Sequence, residues 1–367
     1  MKVISVIAGR EHLVKCFALN GQLQKHGIEH ILLDIAVYDH AFASETYRQL
    51  NLPIPTNTHF FNFTSQKFSD NYTIQKNLIN AFNKINPNVV LIYGDVYHSV
   101  IAAYASLISR IPIAHIEAGL RNWDINDREE LYRTFIDHVS DSLFVTSDLS
   151  KKNLIDEGIS KNKIFIAGNS IISALKENID YAKPDIIEEK DLHTPYILTT
   201  LHRIENLRSR QSIFNYLSAI IHLAKSYKII LILYRTTRHY FKKFDVNSLI
   251  SSNKNIVILE TIPYFQYIGL LKECSLIITD SSGIQDEAAY LGKPCVICRK
   301  RTHREGIIGS TSQILAGTNS KSIIDNALRF LLSENKPSSS YPNSWNDNIG
   351  NMVSSILLSR YRGKTRD

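Results

Sequence analysis

The chain has 367 residues, 44% hydrophobic and 21% charged, the balance of an ordinary folded protein, and since one core rarely grows past about 250–300 residues two domains are expected. Its 42 basic and 35 acidic residues leave a net charge of +7 scattered along the chain, which fits an anionic substrate or plain solubility and, lacking a basic stripe interleaved with aromatics, no nucleic acid. No apolar run reaches the ~18 residues of a membrane span, and Cys16, Cys274, Cys295 and Cys298 are too few for a disulfide framework, so a cytoplasmic protein without membrane insertion is expected.

Short apolar runs alternate with amphipathic stretches, the pattern of a parallel sheet with crossover helices. In the first half the runs are 2–7, 30–34, 89–93, 113–116, 142–146 and 163–167, with helices at 13–26, 72–83, 128–138 and 147–157 between them. The polar stretch 178–194, with Pro184 and Pro195 at its breaks, interrupts the pattern. It resumes at 196–200, 228–234, 255–259, 276–279 and 295–298, and a Ser-rich tract up to Pro342 precedes a last helix near 346–361. Cys295 and Cys298 form a CxxC inside an apolar run with no partner pair, so they read as buried strand cysteines rather than zinc ligands. The organisation implied is two doubly wound α/β domains, residues 1–170 and 171–345, facing across a cleft.

In such sheets ligands gather outside the carboxyl ends of the strands, and the unusual polar residues fall there. Arg10 follows the first run, Asp95 the third, Glu117 the fourth, His202 the first run of the second half and Ser281 a later one. Asp95 also suits an Asx turn, and Glu129 and Glu130 also suit the start of a helix. Together with Arg10, Lys15 and His202, however, the carboxylates make an acid–base set, since close carboxylates raise one another's pKa. His202 and Arg203 can meet a phosphate or a leaving oxygen, or be solvated. Arg299, Arg301 and Arg304 read either as a solvated loop or as a diphosphate clamp. The stretch Ile277–Pro294 joins an apolar run to a helix through Ser281, Ser282 and Gly283. That turn aims backbone N–H groups and a helix dipole at one point, a seat for a diphosphate. Glu287, one helical turn past Gly283, could take ribose hydroxyls. No Walker A loop, GxGxxG after the first strand, GxSxG or paired His with metal spacing occurs, so chemistry without metal or cofactor is expected.

Taken in order, Arg10…Lys15, Gly94-Asp95, His115-Ile-Glu117-Ala-Gly-Leu-Arg121, Glu129-Glu130-Leu-Tyr-Arg133, Gly168-Asn169, His202-Arg-Ile-Glu-Asn206 and Thr279-Asp-Ser-Ser-Gly-Ile-Gln-Asp-Glu287 resemble the UDP-N-acetylglucosamine 2-epimerase family. The resemblance implies a GT-B fold whose last helix, about 346–367, packs back on the first domain. It also implies inversion at C2 of a UDP-2-acetamido sugar through elimination of UDP to a 2-acetamidoglycal and re-addition, in the service of surface polysaccharide synthesis, by a homodimer. On it, Asp95, Glu117 and Glu129 are the candidate acid/base carboxylates and His202 assists at the phosphate. Arg10, Lys15, Arg133 and Arg203 complete the cationic set, and Ser281, Ser282 and Gly283 hold the diphosphate with Arg304 in support. Glu287 holds the ribose and Tyr264 lies beside the uracil.

The departures are local. The family opens Gly-Thr-Arg-Pro-Glu where this chain has Ala8-Gly-Arg-Glu-His12, and its Pro-Trp-Pro before the glutamate reads Asn126-Asp-Arg128. Its Thr-x-Arg-Pro-Glu reads Thr302-His-Arg-Glu-Gly306, and Val37-Tyr-Asp-His-Ala41 stands where bacterial members carry Gln-His-Arg of an activating site. A changed sugar pocket, for a 6-deoxy or diacetamido-uronate relative of the simple substrate, is the natural expectation. The alternatives are a hydrolysing 2-epimerase that releases N-acetylmannosamine and UDP, and a GT-B glycosyltransferase using a UDP-sugar.

Overall fold

A computed structural model describes residues 1–35, 47, 48, 50, 52, 68–182, 195–260, 262–304, 307, 308, 312–334, 337–346 and 348–363. The 37–41 segment, positions 305 and 306 and most of the 178–194 stretch lie outside the described residues. The chain divides into two compact units, Met1–Ala174 with Pro342–Asp367, and Leu175–Tyr341.

The first unit runs β1 (Lys2–Ile7), α1 (Arg10–Lys25), β2 (Glu29–Asp34), α2 (Phe68–Ile85), β3 (Val89–Tyr93), α3 (Tyr97–Ile108), β4 (Ile113–Ala118), α4 (Arg128–Val139), β5 (Ser142–Val145), α5 (Asp148–Asp156) and β6 (Ile164–Ile166). Its strands pair in parallel in the order β2-β1-β3-β4-β5-β6. Strands in the middle of such a sheet are covered on both faces, so they read as unbroken apolar runs instead of alternating ones. All five residues of β3, Val-Val-Leu-Ile-Tyr, are buried. The expected strand 113–116 extends to Ala118 because a bulge between Ile116 and Ala118 absorbs one residue and lets pairing with β5 resume.

Helix α6 (Ser170–Asn178) leads to the second unit, with β7 (Tyr196–Thr200), α7 (Ile204–Leu207), α8 (Arg210–Leu223), β8 (Lys228–Leu233), α9 (Arg235–Lys243), α10 (Ser248–Ser251), β9 (Ile256–Glu260), α11 (Tyr264–Glu273), β10 (Leu276–Thr279), α12 (Ser282–Leu291), β11 (Cys295–Ile297), β12 (Gln313–Leu315) and α13 (Ser320–Leu331). The order is β12-β11-β10-β7-β8-β9, again parallel. β12 was not anticipated, since three residues, two of them half-buried, carry too little periodicity to stand out. The four cysteines are free and buried. No helix among the described residues is long and apolar enough to cross a membrane.

The final helix, α14 (Ile349–Tyr361), starts three residues later than expected because Asn348 caps it, accepting from the Asn351 amide at 3.0 Å. It packs on α1 within the first unit. Contact is close enough that a Cβ on Gly350 would lie 2.7 Å from the Ala18 carbonyl oxygen. Tyr361 at its far end shares a buried 2.6 Å hydroxyl contact with Ser142 of β5.

Each sheet reverses its strand order once. In the first unit the chain winds outward from β1 to β2, then returns to β3 on the other side of β1; in the second it winds from β7 to β9 and returns to β10 beside β7. At such a reversal the two connections diverge and leave a crevice at the carboxyl ends of the flanking strands. The flanking turns are 8–10 and 94–96 in the first unit, and 201–203 and 280–282 in the second.

Candidate active site

In the first unit the turn after β1 begins α1 at Arg10, whose side chain lies outside the described part. Lys15, one turn further, is buried and its ammonium meets Glu117 Oε2 at 2.7 Å, with Glu11 at 3.8 Å. Burial works against the charge, but Glu11 and Glu117 outweigh it and hold the Lys15 pKa above its ordinary value. Glu117 itself sits at φ 69° on the β4 bulge. A non-glycine residue there costs of order 1–3 kcal/mol, strain of a kind that collects at functional positions.

The turn after β3 carries Gly94, at φ 58°, and Asp95. Asp95 is 16% exposed and accepts from the Arg133 guanidinium of α4 through both Nε, at 3.0 Å, and Nη2. The same guanidinium reaches Glu130 at 2.6 Å, whereas Glu129 lies 3.9 Å away and is 29% exposed. The two adjacent glutamates therefore divide their work. Glu130 accepts the backbone N–H groups of Asn122 and Trp123, both at 3.0 Å, and holds the preceding loop. Asp127, not a glutamate, caps α4.

His12 is buried in the same cluster and carries no signal in the sequence beyond its place in the altered opening motif. Its Nδ1 accepts the Ala8 backbone N–H at 3.2 Å, which puts the proton of the neutral ring on Nε2. Burial first, and then Lys15, lower its pKa to about 3. Gly94 admits this crowding, since a Cβ there would lie 3.3 Å from both His12 Nε2 and Lys15 Nζ.

In the second unit Asp280, wholly buried at the end of β10, organises the turn after β7. It accepts the backbone N–H groups of His202 and Arg203 and the Asn206 side-chain amide, each at 3.0 Å, and His202 Nδ1 lies 3.3 Å away. The Asn206 amide also donates to the Cys298 carbonyl at 2.9 Å, tying this turn to the end of β11. Ser281 caps α12, and Arg203 and Arg299 both donate to Ser282 Oγ, at 2.8 and 3.3 Å. Two guanidinium groups at a helix N-terminus, with the small residues Ser282 and Gly283 in its first turn, suit an anion in charge and in donor geometry. Of the three loop arginines, Arg299 joins that point, Arg301 is exposed, and Arg304 pairs with buried Asp286 at 2.9 Å.

Glu287, on the same helix, is buried and accepts from the Tyr267 hydroxyl. Burial pushes its pKa up from 4.5 to about 8, against the Tyr267 hydrogen bond and with help from Asp286. Tyr264, packed 6.3 Å from Tyr267 between ring centroids, keeps a buried hydroxyl that meets no hydrogen-bond partner among the described residues, a donor open to a ligand. Among the described residues no group of three or more His, Cys, Asp or Glu side chains is placed to hold a metal ion.

A family model described as UDP-N-acetylglucosamine 2-epimerase matches residues 22–351. The UDP-N-acetylglucosamine 2-epimerase of Methanocaldococcus jannaschii is 30% identical over 360 residues, 96% of either chain. That of Escherichia coli K12 is 31% identical over 265 residues, 69% of this chain and 70% of its own. Among solved structures, the M. jannaschii enzyme in complex with UDP-GlcNAc and UDP superposes with a TM-score of 0.90 at 28% identity, covering 98% of this chain and 100% of that one. The Neisseria meningitidis enzyme bound to UDP-GlcNAc gives 0.88 at 25% identity with the same coverage. The pair of Rossmann-like units is thus of the GT-B type.

Proposed function

The chain belongs to the UDP-N-acetylglucosamine 2-epimerase family, and from that membership we propose how it acts. It is an epimerase of a UDP-sugar, inverting C2 of UDP-N-acetylglucosamine and UDP-N-acetylmannosamine or of a modified UDP-2-acetamido relative. A carboxylate removes the C2 proton. The C2–H electron pair becomes the C1=C2 bond of a 2-acetamidoglycal while the C1–O bond breaks and its pair leaves on UDP. UDP then returns to C1 as a proton is delivered to the opposite face of C2, so that nothing is consumed.

Asp95, Glu117 and Glu129 supply the acid and base, with Arg10, Lys15 and Arg133 as the cations that set their field. Ser281, Ser282 and Gly283, with His202 and Arg203, receive the charge of departing UDP, and Arg304 braces α12 through Asp286. Glu287 and Tyr264 take the ribose and the uracil side. One observation supports the reading above the others: Asp95 and Glu117 stand at the ends of adjacent strands, each against its own buried cation.

Proton NMR in deuterated water with UDP-N-acetylglucosamine tests this. Deuterium at C2 with a manno product is expected. Free N-acetylmannosamine plus UDP would move the enzyme to the hydrolysing branch. No exchange with that substrate, nor with 6-deoxy and diacetamido-uronate analogues, would refute the epimerase mechanism.

The same proposal includes a homodimer and a cytoplasmic setting, with the product feeding a surface polysaccharide. Tyr104, Leu107 and Ile108 of α3 and Leu131 and Phe135 of α4 are exposed apolar side chains on two helices that pack together, a face suited to a second copy. Four unpaired cysteines fit a reducing compartment. Sedimentation at micromolar concentration should give twice the chain mass, and Leu107→Glu with Leu131→Glu should halve it.

A further inference from the structure

His115 and Asp137 lie at 0% exposure beneath the catalytic turns, and neither touches the substrate in the mechanism above. His115 Nδ1 is 2.7 Å from Asp137 Oδ1, and its Nε2 is 3.0 Å from the Gly94 carbonyl oxygen. Burial raises the Asp137 pKa, but His115 and Arg121 outweigh it and hold the carboxyl below its ordinary value, so it is a carboxylate. Carboxylate and carbonyl oxygens only accept. The ring therefore carries a proton on Nε2, which donates to the Gly94 carbonyl, and turns Nδ1 to Asp137.

Its two bonds end at informative places. One grips Gly94, the residue before Asp95. The other grips Asp137, which also accepts the Gly119 N–H at 3.1 Å and Arg121 Nη1 at 2.7 Å. One carboxylate thus holds residues 115, 119 and 121 and pins both flanks of Glu117. Ladder bonding between β3 and β4 is already weak at this level, with Gly94 N–H to the Ile116 carbonyl at 3.4 Å. Arg121 in turn forks onto Glu157 of the segment after α5, at 2.6 and 2.7 Å.

We propose that His115 and Asp137 are a positioning pair that sets where Asp95 and Glu117 stand relative to one another, His115 holding Gly94 through Nε2 and held in turn by Asp137 at Nδ1. The inference rests on the reading of Asp95 and Glu117 as acid and base. Displacing a reacting group by about 1 Å costs on the order of 100-fold in rate, and His115 is a side chain that bridges the two turns.

Two measurements test it. Ring-nitrogen NMR of the 15N-histidine-labelled full chain, with the His115 signal assigned by its loss in His115→Gln, should show a proton on Nε2. A ring whose Nε2 carries no proton overturns the proposal, and this result does not depend on any activity. In the C2 exchange assay, His115→Gln and Asp137→Asn should lower kcat about 100-fold with KM changed less than about threefold and UDP affinity unchanged. Folded variants within threefold of wild-type kcat overturn it as well. If the wild-type enzyme exchanges none of the UDP-sugars, the functional reading has failed, and the Nε2 proton alone decides the clamp on Gly94.

Discussion

Replacing Glu287 by Gln should stabilise the ligand-free second unit, and increasingly so as pH rises. The side chain is 4% exposed, and its pKa moves from 4.5 to about 8 in the folded protein, chiefly through burial. For an acid, a raised folded pKa means that the proton is held more tightly in the folded state than in the unfolded one. The associated stability is complete below about 4.5 and is lost as pH climbs to about 8, after which it is constant. At about 1.4 kcal/mol per pH unit, the loss between pH 5 and pH 8 is on the order of 4 kcal/mol. Gln keeps an acceptor for Tyr267 and carries no charge, so its stability lacks this slope. With roughly 2–4 °C per kcal/mol for a unit of this size, the melting gap between variant and wild type should widen by roughly 10 °C from pH 5 to pH 8. Differential scanning calorimetry at both pH values, without nucleotide, measures it. A gap that stays constant would refute the reasoning, because it would mean that Glu287 titrates alike in the folded and unfolded chains.

Lys15→Met leaves the Glu117 carboxylate buried without its cation, so urea titration should show the first unit weakened by about 3–5 kcal/mol and C2 exchange lost; a loss under 1 kcal/mol would show that water reaches the pair. Gly119→Ala should unfold the first unit or cost more than about 2 kcal/mol, because the new Cβ would lie 2.3 Å from the Ser150 carbonyl oxygen at φ 77°. Asp280→Ala strips the acceptor from the His202 and Arg203 backbone N–H groups and from Asn206, and at about 1–3 kcal/mol for each unmet donor UDP affinity by calorimetry should fall at least 10-fold. Asp137, whose folded pKa is depressed below 3.8, contributes stability that is present above that value and vanishes as pH falls through the folded one. Acid titration should therefore unfold the wild-type first unit more steeply than Asp137→Asn.

The chain's own pattern determined most of the architecture. Strands covered on both faces are continuous apolar runs, so β1, β3, β7 and β10 were legible to the residue, and polar residues just beyond such runs marked the carboxyl edges where Asp95, Glu117, His202 and Ser281 stand. Local rules of this kind work because burial on both faces leaves its mark on contiguous residues. What pairs with what was decided only by the tertiary fold. Lys15 meets Glu117 across 102 positions, and Asp280 gathers a turn 77 and 78 positions earlier, contacts that no periodicity encodes. The reversal of strand order in each sheet is what juxtaposes those turns. Nor does sequence separate Glu129 from Glu130, since both suit a helix start; the guanidinium of Arg133 and two backbone N–H groups converge on Glu130 and leave Glu129 at the rim. The same holds for His12, His115 and Asp137. A polar side chain inside an apolar neighbourhood is defined by the donors and acceptors that reach it, and those arrive from elsewhere in the chain.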